Sequence, residues 1–495
     1  MSFGLGFALP AYPLRGGGGN NPFNQSGPTL DLSFAGVVTD QLDPNGYTLN
    51  TNFITPQYQI AAQYVIWENG VGLVAESFSN IITFTRASTG SYFDASGTLQ
   101  SAAIDAPRFD YDPSTLAAQG LLIEEARTNS IRNNTMQGAV AGTPGTAPTN
   151  WDVVVSGSGI TREVVGTGTE DGITYVDLRF YGTGSGNATP QIRPETTTSI
   201  VSAVGQTWTA SYYLRIVGGS TTGITSWAQI WQERDAAGVA LTTAIAAVSS
   251  PTTAALKTQR SVTTRTLTDA AAVWLTNRIQ WAFVDGVPVD LTLRIGLPQL
   301  ELGAFATSVI PTSTSTAAVT RSADVASVNT LSPWYNQTEG SWVAEASVLG
   351  SNANALAVWN NPILKVTEAA DNSLFGECLL FGTSAAPKRV QYASRDSVAN
   401  AAVFFSPGVV PDTPYKFAGA RADGSTISIG YAGQALSSTL TSTLPTRTRL
   451  FIGRGVTGSV LNAPAADSMY LNGHIRRITY YPRRLSNAEL VSITS

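Results

Sequence analysis

Trp227, Gln229, Trp231 and Glu233 alternate along SWAQIWQERD, so on a strand all four project from one side. Aromatic rings stack on the apolar faces of sugars, and an amide and a carboxylate between them can hydrogen-bond hydroxyls. Two tryptophans four residues apart stand about 13 Å from each other at about 3.3 Å per residue. That is wide for one sugar ring and suits the two ends of a short oligosaccharide groove. Tyr213, in WTASYYLRI, adds a fifth candidate for such a glycan-binding face. The competing assignment makes the tryptophans core and puts Ala228 and Ile230 outside, since tryptophan is highly buried on average.

No residues point to catalysis. Glu124 and Glu125 are adjacent, and neighbours on a strand face opposite ways, so they cannot flank one glycosidic bond. Arg127 is near enough to make a structural ion pair with them. The single histidine, His474, has no companions for a triad or a metal site. The single cysteine, Cys378, excludes an internal disulfide and reads as a small buried hydrophobe before Leu379, Leu380 and Phe381. Glu377, Asp371 and Asp396 lack the spacing of a calcium loop. GTGTEDG is a turn without a nucleotide-binding pattern. We therefore expect no catalytic residues, no required metal and no cofactor.

The elements that must carry these side chains are strands. Charged residues are 13% of the 495, against roughly 25% in ordinary domains, and hydrophobic residues are 43% with 46 glycines. Such a chain is not disordered in bulk. Its formal charge of −5 gives no broad attraction for nucleic acid. No apolar run reaches the length of a membrane span, and the first residues lack a signal peptide's basic start and cleavage pattern. Period-two alternation is clear in three places. Val176, Leu178 and Phe180 share a face, as do Trp208, Ala210, Tyr212, Leu214 and Ile216, and as do Leu291, Leu293, Ile295 and Leu297. Repeated strands between glycine-rich turns predict an all-β, multidomain protein of jelly-roll and sandwich type.

Breakers divide the chain into an extended arm (1–30), a β-rich attachment or brace region (31–132), a jelly roll (133–312), a connector (313–332) and a second β-sandwich (333–495). Within 31–83, residues 60–67 would also suit a helix, and Ser486 is placed to cap a short C-terminal helix with Glu489. In the arm, Phe3, Leu5, Phe7, Tyr12 and Leu14 are interrupted by Pro10 and Pro13 and followed by Gly16 to Gly19. An apolar segment that cannot fold alone is expected to dock on a partner surface.

The run FTRASTGSYFDASGTLQSAAIDAPRFDYDP, followed by LLIEEARTN, resembles a segment of structural proteins of tailed bacteriophages and prophages. There it joins an N-terminal virion-attaching part to a carbohydrate-binding-module-like jelly roll. PQLELGAFATSVIPTS (298–313) resembles the exit of that jelly roll, and AAVTRSADVASV (317–328) its sequel. SMYLNGHIRRITYYPRRLSNAEL resembles the closing strands of concanavalin A-like, laminin-G-like domains. Residues 35–80 depart from the pattern and look inserted. The resemblance implies a fibre or spike on the head, collar or tail, made in the host cytoplasm and carried on the virion surface. It would contact other virion proteins through the arm and host-surface glycans through its β domains, as a homo-oligomer, a trimer by analogy. The alternatives are a non-binding decoration protein and a polysaccharide depolymerase.

Overall fold

A computed structural model describes residues 30–33, 64–68, 72–313, 316–332, 334–349, 361–368, 376–382, 389–395, 400–441, 444–455 and 469–495. The arm residues Phe3, Leu5, Phe7, Tyr12 and Leu14 lie outside them, as do Asp371 and Asp396. What is described is all-β, in two antiparallel sandwiches joined by a brace.

The first sandwich is one eight-stranded sheet folded over on itself. Its hydrogen-bonded order is 240–247, 224–234, 274–283, 173–193, 288–302, 207–219 and 260–266, with Asp152–Glu170 paired along Ile173–Arg193. Ile173–Arg193 is the fold line. Tyr175 to Thr183 pair with the 288–302 strand, whereas Gln191 and Ile192 pair with Gln280 and Ile279. The two ends of the path therefore face each other, and Trp231 Nε1 donates to Thr263 Oγ1 across the gap at 3.2 Å. The alternating residues named above share one core, as their period predicts.

Leu297 is the exception to that alternation. Its φ of 40° and a skipped residue between the pairs Ser211–Gln299 and Tyr213–Gly296 form a bulge. The bulge turns Leu297 to the other face, where it packs with Tyr213, Leu256 and Val309.

The second sandwich has a ten-stranded and a seven-stranded sheet. Trp342, Phe417 and Ile478 of one share a core with Leu364, Leu379 and Leu450 of the other. The C-terminal helix Asn487–Ile493 carries the expected capping box, Ser486 Oγ accepting from Glu489 N while the Glu489 carboxylate accepts from Ser486 N.

Residues 31–132, expected as an attachment or brace region, add strands to both sheets of the second sandwich: Leu30–Ser33 and Ala118–Ile123 pair with Gly473–Tyr481, and Thr83–Thr85 pairs with Val325–Val328. Residues 313–332, expected as a connector, carry two ladder strands, Val319–Arg321 and Val325–Val328. Of the two conformations open to residues 60–67, the extended one is found at Tyr64–Glu68, which pairs with Leu30–Ser33 and Gly72–Glu76. Short strands complete sheets whose other strands lie far along the chain, and local composition carries no record of that pairing.

The brace is held by buried ions. Arg86, Arg108, Glu124 and Asp324 side chains are wholly buried and Arg321 is 2% exposed. Arg108 meets Asp324 at 2.5 Å and Glu124 at 2.8 Å, Arg321 meets Glu124 at 3.0 Å, and Arg86 meets Asp324 at 3.1 Å. Ser308 donates to Glu124 through both its N–H (2.8 Å) and its hydroxyl (2.6 Å). Asn129 clasps the same junction, donating to the carbonyls of Pro298 and Ile310 and accepting from Leu300 N. Burial raises the Glu124 pKa, but Arg321, Arg108 and the Ser308 donors outweigh it and hold the carboxyl at about 2.

Removing one partner from such a set strands a buried charge, at about 3–5 kcal/mol. Glu124→Gln should lose about that much stability at pH 7 in urea unfolding. The folded-state pKa lies below the unfolded value of 4.5, so this stabilisation is complete above pH 4.5 and is lost as pH falls towards 2. The gap between parent and variant should therefore narrow from pH 4.5 downward, and a gap that stays constant to pH 2.5 would contradict the assignment.

Candidate functional site

Trp227, Gln229, Trp231 and Glu233 do share one face of Ile224–Arg234, but that face looks inward. Their exposures are 8%, 1%, 1% and 1%. Trp227 stacks on Trp281 of the next strand, with ring centroids 5.0 Å apart and planes 26° from parallel. Gln229 Nε2 donates to Ser261 Oγ, and its carbonyl accepts from Thr263 Oγ1. Glu233 accepts from Thr268 N (2.9 Å), Asp269 N (2.8 Å) and Arg265 (3.1 Å). Tyr213 is also buried, on the opposite side of its sheet, beneath a brace hairpin whose Phe93 and Leu99 pack against the same cluster. The expectation that these five residues form a glycan-binding surface is corrected. The polar groups of Gln229, Trp231 and Glu233 are spent on Ser261, Thr263, Arg265, Thr268 and Asp269, and the two indoles fill the gap between the layers.

The outward face of the same layer has a different character. On Trp274–Phe283, the inward residues are Leu275, Asn277, Ile279 and Trp281, of which Asn277 accepts from the Tyr212 hydroxyl inside the core. Trp274, Thr276, Arg278 and Gln280 are on the other side. Register places Gln232 opposite Thr276, Ile230 opposite Arg278 and Ala228 opposite Gln280. Arg193 follows Ile192, the partner of Ile279, so it stands beside Arg278. Arg234 is opposite Trp274. Three guanidiniums, two glutamines and a half-buried indole thus lie on one face of the sheet. Sequence reading passed over WLTNRIQW, although its alternation was the available signal.

Other singled-out residues are structural. Glu125 pairs with Arg127 at 2.6 Å, as expected, while Glu124 faces the brace ions. His474 is 3% exposed, and its Nε2 is 2.9 Å from Asp110 Oδ2, tying brace to second sandwich. Burial pushes the Cys378 thiol up to about 12. Glu377 is enclosed, receiving Tyr335 Oη (2.5 Å), Trp342 Nε1 (3.0 Å), Arg421 Nε (2.8 Å) and the Tyr392 hydroxyl. Burial would raise its pKa, but Arg421, Arg447 and the two tyrosines hold it at about 2. A carboxylate with four fixed donors anchors a core and is poorly placed to accept a substrate proton.

No protein-family model and no curated protein matches the chain. Among solved structures, it is similar to the Ruminococcus gnavus IT-sialidase CBM40 bound to alpha2,3 sialyllactose. The TM-score is 0.26 and the identity 13%, over 32% of this chain and 84% of that one. A likeness at that TM-score carries no functional information.

Core placement has a direct consequence. Trp227→Ala and Trp231→Ala should each lose about 3–5 kcal/mol in urea unfolding. Near-parental stability for either would return the ring to the surface.

Proposed function

We propose that the chain is a non-enzymatic structural component of a bacteriophage particle, a fibre or spike that displays a glycan-binding β domain for host attachment. One observation carries this reading. The runs that resemble phage structural proteins fall in two stretches remote in sequence, 84–129 and 298–328, and they meet at a single buried junction. FTRAS supplies Arg86, PRFDYDP supplies Arg108, LLIEEARTN supplies Glu124, Arg127 and Asn129, the jelly-roll exit supplies Ser308, and its sequel supplies Arg321 and Asp324. Their residues are those of a joint that fixes one β module against another. A display protein requires such a joint, because a distal domain must be held at a set angle to its anchor. The arm at residues 1–30 serves as the virion anchor, and a trimer is the assembly that suits a fibre or spike.

Deleting residues 2–19 should leave protein that melts like the parent but no longer joins particles. The measurement is mass spectrometry of purified virions produced with parental or truncated chain. Virions that never contain the parental chain would overturn the reading. Normal occupancy by the truncated chain would remove the arm as anchor.

A further inference from the structure

The jelly roll's outward face has a charge imbalance that its own side chains leave unresolved. Arg193 pairs with Asp152 at 2.6 Å through Nη1, while its buried Nε has no hydrogen-bond partner. Arg278 has no carboxylate among the described residues. Its Nη1 donates to Gln232 Oε1 at 2.6 Å and its Nε to Gln280 Oε1 at 3.1 Å, both neutral acceptors. Arg234 likewise spends its donors on Thr276 Oγ1, the Gly238 carbonyl and Gln232. The three cations sit close enough to disfavour one another's charge. The Arg278 pKa is lowered to about 10, first by burial and then by Arg193 and Arg234. Like charges side by side on adjacent strands are destabilising. Other arginines of this domain are matched, Arg179 with Asp290 and Glu163, and Arg294 with Asp177 and Glu170, while Arg162 and Arg260 stand apart from one another and donate to carbonyl and hydroxyl oxygens.

We infer that this face, built on Arg193, Arg234 and Arg278 with Gln232, Gln280 and Trp274, binds an acidic saccharide, the arginines taking its carboxylate. The assignment deepens the proposed glycan display and rests on it. Arg278 spends Nε and Nη1 on the two glutamines, which leaves Nη2 as its donor for a carboxylate, while Arg193 adds positive charge from beside it. Gln232 and Gln280 hold Arg278 in place and offer amides to neighbouring hydroxyls. Trp274 is four residues from Arg278 along one strand, about 13 Å away, and offers an aromatic face to a second ring. Charge complementarity is the argument for an acidic ligand, and the amides with an adjoining indole on one face are the argument for a saccharide.

The test is isothermal titration of the full chain with hyaluronan, polygalacturonate and polysialic acid, alongside carboxyl-reduced polygalacturonate, neutral dextran and duplex DNA. At least one acidic polysaccharide should bind, weakening as salt rises. Carboxyl reduction should weaken polygalacturonate at least about tenfold if that is the ligand, and Arg278→Gln should weaken any ligand found by as much. Trp274→Ala should weaken it several-fold. Arg278→Gln should melt at or above the parental temperature, because it relieves repulsion, a result that a merely structural arginine would not give. Acidic-glycan binding that ignores Arg278→Gln overturns the assignment, as does equal binding of DNA. Binding confined to neutral dextran overturns it while leaving glycan display standing. Binding of no saccharide overturns both.

Discussion

The set of ions around Glu124 and Asp324 is the constraint on which the rest of the molecule depends. Three arginines and two carboxylates are taken out of water where the brace, the jelly-roll exit and the second sandwich meet. Dehydrating such groups costs several kcal/mol each, and the attraction offsets that only when every partner is in place. The junction is thus close to all-or-none. Arg86 and Arg108 reach it from the brace and Arg321 from the segment leaving the jelly roll, so a small rotation between modules would leave charges unpaired. A greasy interface would tolerate sliding, whereas this one selects a single docking angle.

The same logic explains why so few charges are enough. In a chain that is 13% charged, a large share of the acidic and basic side chains is committed to buried or half-buried pairs. Glu377 and Arg421 do within the second sandwich what Glu124 and Arg108 do at the brace. Against the cost of burial, each carboxylate is held ionised by the arginines and hydroxyl donors around it. Against that background the unmatched arginines of the jelly roll stand out. Arg278 and Arg234 lie side by side with no carboxylate between them among the described residues, and in the proposed reading the balancing group comes from outside.

Much of the fold was legible in the chain. Val176, Leu178 and Phe180 alternate because a strand with one core-facing side requires it, and the structure buries all three at 0% exposure. Ser486 and Glu489 announced a helix start because capping is a local bond. The site was less legible. SWAQIWQERD shows which side chains share a face but not which way the face looks, since both sides of Ile224–Arg234 carry residues that can be buried. Ala228 and Ile230, on the outward side, are themselves 8% and 2% exposed.

By itself the sequence determined strand identity, face sharing and the turn positions, because these follow from backbone geometry over a few residues. It also carried the motif residues Arg86, Arg108, Glu124, Arg321 and Asp324, without indicating that they touch. The tertiary structure decided which faces become interior, that Val319–Arg321 and Val325–Val328 join ladders, and that Leu297 turns away from its neighbours at a bulge. The physical reason is range. Periodicity is set by bonds between near neighbours, whereas burial and charge pairing depend on strands brought together from opposite ends of the chain, such as Leu32 beside Ile478.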